Sequence, residues 1–271
     1  MSLSMASLGY AQQPINATDA GTAPSPGAVV LMHQFHFESL KLENGAKRDQ
    51  GRVRDYLVMS QINVGLTRDW SASLRAPVTF RDRSFDSREG DESDLGIGDV
   101  TLLAKRRLWR EDVNALDTKR LAGTIGVDIR TGDDPFTSDG YDPIVGLGYT
   151  QVSGRHGFNA ALQWTFTTGG NDDPVVPGES TADLFRYDAA YLYRLYPAEF
   201  SADSHGGLYA VAELNGFYET NGDNEIRLSP GLMWEAATWT LELSVQIPVW
   251  RDIARRADTE FILVAGIRIS L

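Results

Sequence analysis

The chain has 271 residues, 42% of them hydrophobic and 10% aromatic, with no cysteine and a formal net charge of -12. That length suits one large all-β domain or two ordinary ones, and the missing cysteine excludes a disulfide framework, thiolate catalysis and thiolate metal sites. The acidic balance argues against a nucleic-acid partner, and no stretch has the roughly 20 consecutive apolar residues of a spanning helix, so a membrane, if crossed, is crossed by strands.

Residues 1–11 end in small side chains at Gly9 and Ala11 before Gln12-Gln13-Pro14, which looks like the tail of a secretory signal cleaved after Ala11. The Ala-, Thr-, Ser- and Pro-rich stretch that follows predicts a disordered lead-in over residues 12–28. From Val29 to Leu271 the chain reads as one barrel of about twelve strands, because segment after segment alternates apolar and polar side chains with period two.

The first strand, near Val29 to Leu40, sets Phe35 and Phe37 against Gln34, His36 and Glu38; the second, Tyr56 to Thr67, sets Val58, Ile62 and Val64 against Gln61 and Asn63. The third, Ser71 to Phe80, opposes Leu74, Val78 and Phe80 to Ser73, Arg75 and Thr79, and a fourth runs from Ile97 to Trp109. Leu121 to Arg130, Pro143 to Val152, Gly157 to Thr168 and Leu184 to Tyr196 continue the series, followed by Leu208 to Glu219 and Glu225 to Glu235. The most regular is Trp239 to Val249, where Trp239, Leu241, Leu243, Val245, Ile247 and Val249 alternate with polar residues and Pro248, and the last is Thr259 to Leu271. Eleven extended residues reach about 36 Å, which at the tilt of barrel strands covers the apolar band of an outer-membrane barrel of roughly 25 Å.

Long polar linkers (41–55, 81–95, 131–142, 169–183) alternate with short ones around Arg68-Asp69, 153–155 and Ala236-Ala237, as in a meander with one loopy and one tight rim. Residues 110–118 and 197–205 are long for the tight rim, and 220–224 is short for the loopy one. The loops are acidic: Asp82, Asp86, Glu89, Asp91, Glu92 and Asp94 in one, Asp133, Asp134, Asp139 and Asp142 in another, Asp172, Asp173 and Glu179 in a third. They read as solvated loops, with cation bridging to lipid phosphates as the sharper alternative. Trp70, Trp109, Trp239 and Trp250, with Tyr56, Tyr193 and Tyr196, lie near strand ends, as girdle residues do; mid-strand Trp164 suits lipid contact or core packing.

The run Gly96-Ile97-Gly98-Asp99-Val100-Thr101-Leu102-Leu103-Ala104-Lys105, then Ile129-Arg130-Thr131-Gly132-Asp133, Ser229-Pro230-Gly231-Leu232, Ile247-Pro248-Val249 and Gly266-Ile267-Arg268, resembles the outer-membrane family described as "putative MetA-pathway of phenol degradation" over about Val29 to Leu271. The resemblance implies a Gram-negative outer-membrane barrel linked to uptake of aromatic or other hydrophobic compounds, with outer-membrane lipids and a small-molecule solute as partners, and it supplies no binding residues. Two positions depart from it: Arg130 where a Pro is common, and Leu271 where such barrels usually end in Phe or Trp.

With the apolar face on lipid, the polar face lines the lumen, and the candidate pore-lining residues are Glu38, Arg75, Asp99, Lys105, Arg107, Asp128, Arg130, Arg186, Glu213, Arg227, Glu242 and Arg268. They read either as cross-strand ion pairs that stiffen the barrel or, for Arg75, Arg107, Arg130 and Glu242, as a charge-selective constriction. A hydrophobic solute would instead meet loop aromatics such as Phe85, Phe136 and Tyr141. No catalytic residues, metal ligands or cofactor are expected. Asp203-Ser204-His205 are adjacent and cannot easily converge, no G-x-S-x-G elbow occurs, and His33 and His36 point to opposite faces of a strand. A lipid-modifying outer-membrane enzyme and a soluble ligand-binding barrel are the alternatives to a passive channel.

Overall fold

The computed structural model of the chain describes residues 12–42, 51–85, 91–114, 116–171, 173, 175, 182–201 and 204–271. The signal-like residues 1–11 lie outside the described residues. The strands are β1 (Val29–Leu42), β2 (Gly51–Gly65), β3 (Trp70–Phe85), β4 (Glu92–Ile97), β5 (Val100–Asn114), β6 (Asp117–Ile129), β7 (Asp142–Ser153), β8 (His156–Thr165), β9 (Leu184–Tyr196), β10 (Gly206–Glu219), β11 (Asn224–Ala236), β12 (Trp239–Asp252) and β13 (Asp258–Ser270). All pairings are antiparallel, and β1 lies between β13 and β2 while β2 pairs with β3, so the sheet closes on itself. Thirteen strands less β4 leave the expected barrel of twelve.

The extra strand comes from a break in the segment expected to run unbroken from Ile97 to Trp109. Trp70–Arg75 of β3 pairs with Thr101–Arg106 of β5, but beyond Pro77 the same strand pairs with β4, from Val78 opposite Ile97 to Arg83 opposite Glu92. Pro77 has no N–H for a ladder. Its carbonyl accepts the N–H of Gly98 at 3.0 Å, and a Cβ on Gly98 would lie 2.7 Å from the Pro77 ring, so the chain turns there on a glycine. Elsewhere the strands outrun their sequence signal. Residues 110–114 and 117–118 of the expected linker are ladder rather than loop, with Arg110 opposite Arg120 and Asp112 opposite Thr118. Past the hydrocarbon a strand meets water on its outer face, so the alternation that marks it disappears while its hydrogen bonds continue.

Side-chain polarity is inverted relative to a water-soluble barrel. Leu74, Leu102, Ile125, Leu162, Leu228 and Leu243 project outward and are exposed, whereas Gln61, Thr124, Asn159, Asn215, Ser229 and Glu242 are buried inside. A continuous apolar exterior of this kind is stable only in hydrocarbon, and closing the sheet removes every unpaired edge that lipid could not solvate. The barrel is therefore of the outer-membrane type. Trp70, Trp109, Trp239, Trp250 and Tyr196 are exposed on its outside, as expected of girdles. Two aromatic rows complete this surface: Phe261–Phe37–Tyr56–Phe80, with centroids 5.2 to 5.9 Å apart, and Phe166–Trp164–Phe185–Tyr187, 5.5 to 6.1 Å apart. Trp164 thus packs in an outward aromatic row, not in a protein interior.

This orientation carries a prediction. Leu243→Arg, near the middle of β12, should lower the unfolding free energy by about 2–4 kcal/mol, whereas Val249→Arg, closer to the loop rim, should cost about 0–1 kcal/mol. Urea titration in lipid vesicles reads both, and equal costs at the two depths would place Leu243 outside the hydrocarbon.

The largest departure from expectation is residues 12–28. They are not a disordered lead-in: residues 12–24 run inside the barrel, with Gln12, Ile15, Ala20 and Thr22 nearly inaccessible, and residues 25–27 emerge exposed at its rim. The segment joins the wall beside the turn rim, where Gly27 N donates to Gly65 O at 2.8 Å and Gly65 N to Ala28 O at 3.0 Å. A polar stretch fits there because the bore it fills is polar.

Candidate functional site

The site is the bore, and its centre is the N-terminal segment that crosses it. Isolated in the lumen, that stretch would leave its backbone N–H and C=O groups without partners, which is costly. The inward-facing charges supply them. The Glu213 carboxylate on β10 accepts from Ile15 N at 2.6 Å, Asn16 N at 3.0 Å and Ala17 N at 3.0 Å. Asp188 on β9 accepts from Thr18 N at 2.9 Å and Thr18 Oγ1 at 2.7 Å.

Cations take the carbonyls. Arg268 on β13 donates to Pro14 O at 2.6 Å, Arg75 on β3 to Thr18 O at 2.9 Å, and Lys105 on β5 to Ala20 O at 3.0 Å and Thr22 O at 3.2 Å. Lys105 also pairs with Asp19. Gln34 Nε2 donates to Ile15 O at 2.9 Å, and Asn159 Nδ2 to Gln12 O at 3.1 Å. Apolar contact adds one anchor: Ile15 sits in a buried cluster with Leu192, Tyr209, Val211, Met233 and Val264. The walls make room with small residues. A Cβ on Gly148 would lie 2.7 Å from the Ala20 carbonyl carbon, and one on Gly231 2.9 Å from Ile15 Cδ1.

Burial pushes the Asp19 carboxyl up, but the charge of Lys105, with hydrogen bonds from Lys105, Thr124 and its neighbour Ala20, together hold it below the usual carboxylate range. A depressed value keeps the Lys105–Asp19 latch intact above the ordinary Asp pKa and releases it only as pH falls through the lowered one.

Toward the loop rim the plug forms the floor of a chamber of about 440 Å³, with Asn16 and Thr18 below and Phe136 and Arg256 among the residues above. Six of the expected pore-lining residues, Glu38, Arg75, Asp99, Asp128, Arg186 and Arg227, line it. Of the others, Lys105, Glu213, Glu242 and Arg268 lie at the plug, where Arg268 Nη2 is 2.7 Å from Glu242 Oε2. The proposed constriction of Arg75, Arg107, Arg130 and Glu242 is not assembled. Arg107 sits near the turn rim, 3.8 Å from Asp69, and Arg130 is exposed at the loop rim, 2.7 Å from Asp139. Strand alternation gives the face of a residue and leaves its depth undecided, which is why residues from opposite rims were grouped.

The loops fold over the chamber. Asp99 accepts from Thr131 N at 3.1 Å, Gly132 N at 2.9 Å and Ser138 N at 2.8 Å, and from the hydroxyls of Thr137 and Ser138, so residues 131–138 are gathered on one carboxylate. Asp133 N donates to Ile97 O at 2.8 Å, fixing the same loop to β4. Of the aromatics expected at the mouth, Phe136 reaches the chamber, 5.1 Å from the Arg81 guanidinium, whereas Tyr141 stays exposed and Phe85 ends β3. Several loop acids expected to be solvated are engaged: Asp173 pairs with Arg81 and Arg83, Asp139 with Arg130, and Asp142 accepts Thr168 N at 2.7 Å. Asp86, Glu89, Asp172 and Glu179 lie outside the described residues, as does Asp203 of the Asp203-Ser204-His205 run.

Sequence reasoning missed Asp19, Asp55, Arg81 and Arg256. Arg81 and Asp55 were legible in principle, since they continue the inward faces of β3 and β2, but both fall in stretches assigned to loops. Replacing Asp99 should free residues 131–138: in Asp99→Ala, hydrogen exchange of that segment accelerates by about tenfold or more while the barrel keeps its heat-modifiable migration. Unchanged exchange would show that the Asp133–Ile97 pairing alone holds the loop.

No curated protein sequence matches the chain. Among solved structures it is similar to an outer membrane channel from Pseudomonas putida F1, at TM-score 0.66 and 14% identity, over 95% of this chain and 100% of that one. It is also similar to the β domain of the Bordetella autotransporter BrkA, at TM-score 0.53 and 14% identity, over 90% and 100% of the two chains. The NanC porin aligns at TM-score 0.51 and 9% identity, again over 90% and 100%. At these identities the likeness establishes the fold, a barrel shared with channels, porins and translocator domains. The sequence itself goes further: residues 54–254 match the model of the family described as "Putative MetA-pathway of phenol degradation", and the chain belongs to that family.

Proposed function

We propose that the protein is a passive channel of the Gram-negative outer membrane for small solutes of aromatic or otherwise hydrophobic character, and that it is not an enzyme. The carrying observation is a closed barrel with a lipid-compatible exterior whose polar bore holds a chamber of about 440 Å³ between a noncovalent plug and inward-folded loops. A chamber of that volume falls in the range of small-molecule sites, roughly 300–1,000 Å³. The family's link to phenol degradation and the shared fold with the Pseudomonas putida outer membrane channel support the reading. The plug is held by side-chain hydrogen bonds, ion pairs and the Ile15 contact, so it can shift without breaking a β-ladder.

Passage is tested in proteoliposomes. Uptake of phenol-sized solutes should exceed that of empty liposomes, with ionic conductance in planar bilayers that is small because the plug stays in place. Uptake no faster than in empty liposomes, together with no conductance, would sink the channel reading.

A further inference from the structure

The chamber wall holds a cation, Arg186, that has no ion pair among the described residues. Arg186 projects from β9 into the chamber, and among the described residues it forms no hydrogen bond and no ion pair. The charges that act on it most strongly are mostly cations, Arg227, Arg256 and Arg75, set against the carboxylate of Asp188. Each of those three has other partners. Arg227 lies 3.4 Å from Glu225, Arg256 is 3.1 Å from Glu219, and Arg75 donates to Gln61 and to the plug carbonyl of Thr18. Asp188 is likewise occupied, by Thr18 and by Asn215 Nδ2 at 2.9 Å. An uncompensated cation away from bulk water is costly, and a bound anion removes the cost.

The surroundings specify what kind of anion. Arg186 is the ladder partner of Phe217, whose ring lies 4.4 Å from the Arg256 guanidinium carbon and 6.0 Å from that of Arg227. Leu184, Ile144 and Phe136 add apolar wall to the same chamber. A planar guanidinium beside an aromatic wall matches a carboxylate attached to a ring, because the guanidinium fork donates to both carboxylate oxygens while the ring covers apolar surface. Glu38, Asp99, Asp128 and Asp142 line the same chamber, so a dianion is repelled more strongly than a monoanion.

We propose that the chamber contains a binding station for a small monoanionic aromatic carboxylate, with Arg186 as its charge partner and Phe217 as its ring wall. The station lies on the path of the channel proposed above and rests on that reading only for its part in passage.

Titration calorimetry on the detergent-solubilised full chain tests it with benzoate, benzyl alcohol, benzylamine and acetate as probes. Benzoate should bind saturably and at least about tenfold more tightly than benzyl alcohol, the scale of one charge-assisted pair, with benzylamine and acetate weaker still. Arg186→Gln should remove that preference and Arg186→Lys should retain part of it, both with heat-modifiable migration intact. Equal binding of benzoate and benzyl alcohol would overturn the proposal, as would a benzoate preference surviving in Arg186→Gln. Acetate binding as tightly as benzoate would reduce the station to a general anion site and overturn its aromatic specificity. If Arg186→Gln fails to fold, Arg186→Lys and the probe series on the unaltered protein decide the matter. Binding is read without a membrane, so benzoate bound by a protein that conducts nothing would remove the channel and leave the station.

Discussion

Deleting residues 12–22 is expected to raise single-channel conductance in planar bilayers severalfold while leaving the barrel folded. Twelve strands enclose a bore wider than the eight-stranded barrels whose interiors side chains just fill, and here the difference is taken up by the N-terminal segment. The deletion strands Glu213, Asp188, Lys105 and Arg268 without their plug partners. Water entering the emptied bore solvates them, and no interstrand hydrogen bond is touched, so heat-modifiable migration should persist. Glu213→Gln is the milder version. It leaves one carbonyl oxygen for the three N–H groups of Ile15, Asn16 and Ala17, each a charge-assisted bond of about 1.5–3 kcal/mol in the unaltered protein. That variant should flicker between a low and a high conductance level. Conductance unchanged by the deletion would mean that ions already bypass the segment.

Asp55→Ala should be the most destabilising single change in the barrel wall, at about 3–5 kcal/mol. Asp55 and Arg81 face each other across the β2–β3 ladder and pair bidentately, Nε to Oδ1 at 2.9 Å and Nη2 to Oδ2 at 2.7 Å, both nearly inaccessible. Removing the carboxylate leaves the guanidinium with one ion-pair partner among the described residues, Asp173, 3.5 Å away on a loop. Because the lone charge is what costs, Asp55→Ala combined with Arg81→Met should recover most of the loss. Urea unfolding in vesicles of both singles and the double gives the coupling directly, and a loss under about 1 kcal/mol in Asp55→Ala would show the pair to be solvated. The same variant should loosen the mouth, since Arg81 also lies against Phe136 and pairs with Asp173.

Strand number, direction and the lipid-facing side were readable because they are local. A strand between hydrocarbon and a wet bore must alternate, and Leu241-Glu242-Leu243-Ser244 does so wherever the barrel closes. The inward face of strand residues such as Arg75, Lys105 and Glu242 followed from the same period. What Arg75 or Glu242 meets inside depends on strand stagger and on a segment far away in sequence: Glu213 and Ile15 are 198 residues apart. The plug carries no periodicity to announce it, because a stretch held mainly through its backbone N–H and C=O groups needs no apolar face, and its composition matches that of a solvated tail. The amino-acid order alone thus determined an outer-membrane barrel and which side chains point inward. Only closure of the sheet decided that the bore is plugged, that Arg107 and Arg130 part to opposite rims, and that Arg186 faces a chamber with no ion pair among the described residues, since depth and contact in a lumen are set by all the strands at once.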